Sequence, residues 1–262
     1  MLMIVSPAKT LDFATPAAAL PPGRAEFARE ARQLVAGLRG FSSEALGDLM
    51  SISPELAALN AARFHSWSVR PAAANTRAAV LAFRGDVYLG LRAETFDAQD
   101  MAFAQQHLRI LSGLYGVLRP LDSIQPHRLE MGTRLATTEG RNLYEFWGSR
   151  IARALRRQAA RSATTVLVNL ASQEYFRAVD RQALALPVIT PVFKERRAGG
   201  LKIVSFSAKR ARGMMAGFAI RNRITDPEEL KKFTADGYRF QPALSCASEW
   251  LFTRAAPAVA AR

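Results

Sequence analysis

Arg150, Arg153, Arg157 and Arg161 recur at helical spacing with no acidic residue between them. On a helix they fall within an arc of roughly 80°, with Ile151, Leu155 and Ala159 facing the other way. Guanidinium groups in such a row suit bidentate hydrogen bonding to phosphate oxygens. A second basic segment, residues 196–223, holds eight basic side chains and no acidic one. Within it Lys209, Arg212 and Arg223 share an arc of roughly 60°, opposite Ala211, Met214, Met215 and Phe218. Arg210 and Arg221 lie in the same segment. Gly213 and Gly217 flank its basic face, where small residues allow close approach either of a phosphate backbone or of another helix. Lys9, in a turn after a short apolar run, is a candidate Schiff-base nucleophile or phosphate ligand. Asp86, Glu94, Glu130, Glu145 and Glu174 would serve metal-dependent cleavage only if some of them cluster in space, and otherwise cap helices or pair with arginines. His65, His107 and His127 lack metal-ligand spacing, no cysteine zinc site is possible with Cys246 alone, and nothing calls for a cofactor.

Charge is concentrated as well as abundant. Of the formal net charge of +14, thirteen units fall after residue 145, where 21 basic residues face eight acidic ones. A localised excess predicts a positive surface and a polyanionic partner, whereas drift in base composition would spread it evenly.

Leu111-Ser112-Gly113-Leu114-Tyr115-Gly116-Val117-Leu118-Arg119-Pro120 follows a predicted helix over 98–111. Gly113 can end that helix and Gly116 can turn the chain again, with free amides for a phosphate oxygen, so that residues 98–124 resemble a helix-hairpin-helix element. Two residues rather than one separate the glycines, and a plain helix cap followed by a loop competes with that reading.

The elements that must hold these residues are those of a mixed α/β domain spanning 1–262. Strands are expected at 2–5, 80–83, 166–170, 188–193, 202–206 and 250–253, with Gly199-Gly200 turning a hairpin. Helices are expected at 24–39, 43–50, 54–65, 98–111, 142–161 and 207–222, with Ser42 and Ser53 as N-caps. The alanine-rich stretches Ala17–Ala19 and 255–262 read as a loop and a frayed tail. A hydrophobic content of 49% with 22% charged residues excludes a disordered chain. The apolar N-terminus is too short for a signal sequence and no apolar run matches a bilayer, so a cytoplasmic protein with no membrane contact is expected.

Across nearly its whole length the chain resembles the YaaA family of bacterial peroxide-stress-response proteins. The resemblance rests on Ser6-Pro7-Ala8-Lys9-Thr10-Leu11, Asn60-Ala61-Ala62-Arg63-Phe64, Phe83-Arg84-Gly85-Asp86-Val87-Tyr88 and the segment from Leu111 to Asp122. It continues through Arg128-Leu129-Glu130-Met131-Gly132, Leu143-Tyr144-Glu145-Phe146-Trp147-Gly148, Asn169-Leu170-Ala171-Ser172, Glu174-Tyr175-Phe176 and Ala208-Lys209-Arg210-Ala211-Arg212-Gly213-Met214. It implies a DNA-binding protein with an unusual α/β fold, a positive cleft and a helix-hairpin-helix element, limiting peroxide damage through free iron or DNA repair. After Gly237-Tyr238-Arg239-Phe240 the family is usually acidic, whereas this chain has Gln241-Pro242-Ala243. The partner expected from charge and resemblance together is double-stranded or branched DNA held mainly by its phosphates. The ligands would be Lys209, Arg210, Arg212, Arg221, Arg223, Arg150, Arg153 and Arg157, the amides at Gly113 and Gly116, and Lys9, Arg63 and Arg119. The alternative is a DNA-processing enzyme that uses Lys9 as a lyase nucleophile or clustered carboxylates as a nuclease.

Overall fold

The apolar run at the N-terminus becomes the middle of the molecule. In the computed structural model, which describes residues 1–15 and 23–256, Leu2–Val5 (β1) is wholly buried between two parallel neighbours. A strand covered on both faces needs an apolar side chain at every position, and Leu2-Met3-Ile4-Val5 supplies one. On one side β1 pairs with Leu108–Ser112 (β2), which returns through a tight turn as Gly116–Leu118 (β3). On the other lie Leu167–Leu170 (β4) and Val188–Arg197 (β5), onto which Gly200–Lys202 (β6) folds back. Arg239–Phe240 (β7) and Glu249–Ala255 (β8) complete the sheet, in the order β7-β8-β5-β4-β1-β2-β3 with β6 paired to β5. The strands β8, β5, β4, β1 and β2 are mutually parallel, and the remaining pairings are antiparallel.

Helices surround this sheet: Ala28–Leu38 (α1), Ser43–Met50 (α2), Pro54–Ser66 (α3), Asp86–Leu91 (α4), Ala98–His107 (α5), Leu143–Trp147 (α6), Arg150–Arg161 (α7), Gln173–Phe176 (α8) and Ser205–Arg221 (α9). Ser42 and Ser53 cap α2 and α3 as expected, accepting hydrogen bonds from Ala45 N at 3.2 Å and Leu56 N at 3.4 Å. One contiguous buried cluster joins sheet and helices, so the mixed α/β class holds.

The glycines of α9 settle one open choice. A methyl group at Gly213 would overlap the Val87 carbonyl, and one at Gly90 would overlap the Arg210 carbonyl. Both absences let α4 and α9 pack backbone to backbone, so those small residues serve helix packing and leave no space for a phosphate strand. Gly217 likewise faces the Leu91 carbonyl.

Four local expectations need correction. The helix predicted over 98–111 ends at His107, where the chain enters β2. Its Leu108-Arg109-Ile110 segment pairs with Met3-Ile4-Val5, and the buried ladder outweighs local helical spacing. The strand expected at 80–83 is mostly the short helix Ala79–Ala82, followed by Phe83–Arg84 pairing with Thr10–Leu11. Gly148, at φ 46°, splits the helix predicted over 142–161 into α6 and α7. The strand expected over 202–206 ends at Lys202, and Ser205 already opens α9, although Gly199-Gly200 does turn the hairpin at φ 82° and 110°. Ala255 closes β8 instead of fraying; Ala17–Ala19 and residues 257–262 lie outside the described residues. Among those described, no helix is long and apolar enough to cross a membrane.

Candidate functional site

Chain direction places a crevice between β1 and β4. From β1 the chain leaves toward β2 on one side; from β4 it leaves toward β5 on the other. Where adjacent parallel strands part in this way, their connections separate beyond the carboxyl ends and leave a hollow open to ligand. Ser6 and Ser172, the residues just beyond the two strands, meet there. Ser172 N donates to Ser6 Oγ at 2.8 Å, and the two hydroxyl oxygens are 3.2 Å apart. Asn169 braces the turn, its Oδ1 accepting from Ala171 N at 3.1 Å.

A cleft of about 330 Å³ opens over this junction, lined by Ser6–Thr10, Phe83–Tyr88, Ser112, His127–Glu130, Ser172, Glu174, Tyr175, Lys209 and Arg212. Separate segments of the chain therefore converge on one hollow. Tyr88 closes the floor, its hydroxyl donating to Ser6 O at 3.1 Å. Burial raises the Tyr88 and Tyr175 phenols above the ordinary tyrosine value, so both stay neutral donors. His127 is buried against Phe83 and Tyr115, its Nδ1–H donating to Gln125 O at 2.8 Å. Burial lowers its pKa to about 4, which keeps the ring neutral at physiological pH.

Cations at the mouth differ in how they are held. Lys9 is 66% exposed and pairs with Glu130 at 3.3 Å, while Glu130 also accepts from Arg128 at 2.8 Å. That wet, paired amine lacks the water-poor setting a lyase nucleophile requires. Arg212 is the contrast. Its guanidinium is partly buried and forms no hydrogen bond or ion pair among the described residues, and burial lowers its pKa. Lys209, one turn earlier in α9, is exposed at the same mouth. Asp86, Glu130 and Glu174 line the cleft, but among the described residues no three His, Cys, Asp or Glu side chains gather in a metal-holding group. Glu174 instead accepts from Gly132 N at 2.9 Å, and Glu145 from Arg141 N at 2.9 Å.

Of the residues singled out from sequence, Lys9, Lys209 and Arg212 come together here. Arg63 does not line the cleft; its charge adds a smaller lowering of the His127 pKa to that of burial. Arg210 faces an adjoining hollow of about 820 Å³ that shares Phe83, Arg84 and Tyr88 with the cleft and adds Arg77 and Arg92. The others are elsewhere. Arg221 stacks on Phe96 and donates to Thr95 Oγ1 at 2.7 Å, and Arg223 is paired with Asp100. On α7, Arg150 pairs with Glu139 and Arg157 with Glu26, while Arg153 points to solvent. Arg119 pairs with Asp122 at 2.8 Å. No residue of α7 lines the cleft, so the two basic helices do not form one track.

The glycine element is a correction. Gly113 lies in the turn between β2 and β3 and Gly116 opens β3, so neither belongs to a helical hairpin. Gly113 O accepts from Trp147 Nε1 at 2.9 Å, and Gly116, at φ 66°, lies against the Trp147 ring. Residues 111–118 are all buried, so their amides cannot reach a phosphate.

Sequence reasoning passed over Arg84, Arg77, Arg92 and Arg128 as individual ligands, because each stands alone without a stripe. Arg84 and Arg128 nevertheless fall inside motifs that carry the family resemblance, and that was the signal that could have found them.

A family model described as "Peroxide stress protein YaaA" matches residues 1–244. A UPF0246 protein of Cellvibrio japonicus is 52% identical over 257 residues, covering 98% of this chain and 100% of that protein. UPF0246 proteins of Verminephrobacter eiseniae and Saccharophagus degradans are 53% and 51% identical, covering 98% and 97% of this chain and 100% and 99% of their own lengths.

Proposed function

Since the chain belongs to the YaaA family of peroxide stress proteins, we propose that it serves that response by holding DNA, through its phosphates, in the cleft beyond β1 and β4. The observation that carries this reading is Arg212. A guanidinium drawn partly out of water without a partner is costly, and a phosphate oxygen entering the cleft relieves that cost. Lys209 and Lys9 add charge at the mouth. A polymer is favoured over a single small anion because the adjoining hollow adds Arg210 and Arg92 beyond the cleft, although Asp12 and Glu94 also line it and Arg84 is paired with Asp12 at 2.9 Å. Contacts of this kind fix position without reading bases, so binding is expected to be independent of sequence.

Fluorescence anisotropy with a labelled duplex tests the assignment. A charge-assisted hydrogen bond contributes roughly 1.5–3 kcal/mol, so Arg212→Ala is expected to weaken binding at least tenfold at fixed salt. Arg212→Lys, which keeps the charge and loses the fork, is expected to fall between. Unchanged affinity in Arg212→Ala would remove the cleft from consideration.

A further inference from the structure

A second concave basic site lies beside β2 and β3, away from the cleft. Arg24, Arg109, Arg119, Arg157 and Arg161 line one pocket of about 330 Å³ with a single carboxylate, Glu26, at its wall. Val117, Ala154 and Leu155 are also in its lining. Like charges gathered in one hollow repel one another, and proteins seldom keep such a group without an anion to hold.

Arg109 makes this more than a surface cluster. Only 5% exposed, it extends from a strand of the central sheet. Its Nη1 donates to Gln105 O at 2.9 Å and Leu108 O at 2.6 Å. Its Nε and Nη2 donate to nothing among the described residues, and no carboxylate lies within ion-pair distance. The neighbouring Asp122 is taken up by Arg119, which donates to it from both backbone and side chain at 2.8 and 2.9 Å. Glu26 is engaged by Arg157. Burial lowers the Arg109 pKa to about 10, so the group keeps its charge at neutral pH. Arg161, at the last turn of α7, is exposed and unpaired among the described residues.

We propose that this pocket binds a small, multiply charged phosphate compound, its phosphoryl oxygens received by the free edge of Arg109 with Arg24 and Arg161 closing over them. A fork of guanidinium N–H groups matches phosphate geometry bidentately, and a pocket of about 330 Å³ has room for a compound of this class. What distinguishes it from the cleft is the Arg109 guanidinium, held by the central sheet with one edge free. The proposal stands apart from DNA binding and shares no residue with it.

Isothermal titration of the full chain with inorganic pyrophosphate in chloride buffer, without DNA, is the test. One saturable site per chain is expected. Arg161→Ala and Arg24→Ala, both at exposed positions whose loss leaves the core intact, are each expected to weaken it about tenfold. Arg109→Lys should do the same while retaining charge. Arg156→Ala, which removes one exposed charge from the same helix outside the pocket, should leave it unchanged. Absence of saturable binding, equal weakening by Arg156→Ala, or displacement of the pyrophosphate by a short duplex would each overturn the proposal.

Discussion

At the scale of single residues, the distinction that matters is between charges already satisfied and charges left open. Arg150, Arg157, Arg119 and Arg223 each have a carboxylate partner, so truncating them alters local structure before it alters any ligand. Arg212 has none among the described residues. His127 gives a second, independent check on the cleft, through stability. Its folded pKa of about 4 lies below the ordinary 6.5 because the ring is buried. Above pH 6.5 both folded and unfolded states are neutral. As pH falls toward 4 only the unfolded state takes up the proton, so stability present at neutral pH is lost across that window, by roughly 3 kcal/mol in total. His127→Asn, whose amide can donate to Gln125 O in place of Nδ1–H, is expected to shrink this loss in urea unfolding at pH 7 and pH 4.5. An acid limb identical to wild type would place the titration elsewhere. The cleft's cations are legible in the sequence only in part. Lys9, Lys209 and Arg212 carry motif or stripe signals, whereas the open state of the Arg212 guanidinium depends on the fold around it.

At the scale of elements, glycines set the packing. Gly213 lets α9 touch α4, so Gly213→Ala is expected to destabilise the protein by about 1–3 kcal/mol through forced separation of the two helices. Gly37, inside α1, is the opposite case, because a methyl group there meets nothing within 4 Å. Gly37→Ala is expected to stabilise by about 0.5–1 kcal/mol, from the lower entropy of the unfolded chain and the better helix propensity of alanine. Thermal denaturation of the two variants should move in opposite directions; movement in the same direction would contradict the packing account. These elements also show where local pattern stops being informative. The helices at 28–38, 43–50 and 54–66 are readable because their apolar spacing and, for the last two, their serine caps are local. The segment 108–112 is not, since its strand conformation comes from pairing with β1 about a hundred residues away. The glycine pair 113/116 misleads for the same reason. Its turn joins two buried strands, and only Trp147, distant in sequence, reveals that no ligand reaches it.

At the scale of the whole molecule, the excess charge is divided between surfaces rather than pooled. α9 brings Lys209 and Arg212 to the carboxyl edge of the sheet, against α4 and α5. α7 packs against β3 and the 181–184 helix, and its cations face a different pocket. A count along the sequence locates the excess after residue 145 but cannot distribute it in space, because the connections from β3 to β4 and from β6 to β7 decide which side α7 and α9 cover. The central claim is that DNA is held at the carboxyl edge alone. The salt dependence of duplex affinity measures this most directly, since each phosphate neutralised adds about 0.9 to the slope of log affinity against log salt. Lys209→Ala with Arg212→Ala is predicted to lower that slope by about 1.8, the share of two phosphates, while Arg153→Ala with Arg156→Ala leaves it at the wild-type value. An unchanged slope in the first pair, or a reduced slope in the second, would contradict the account.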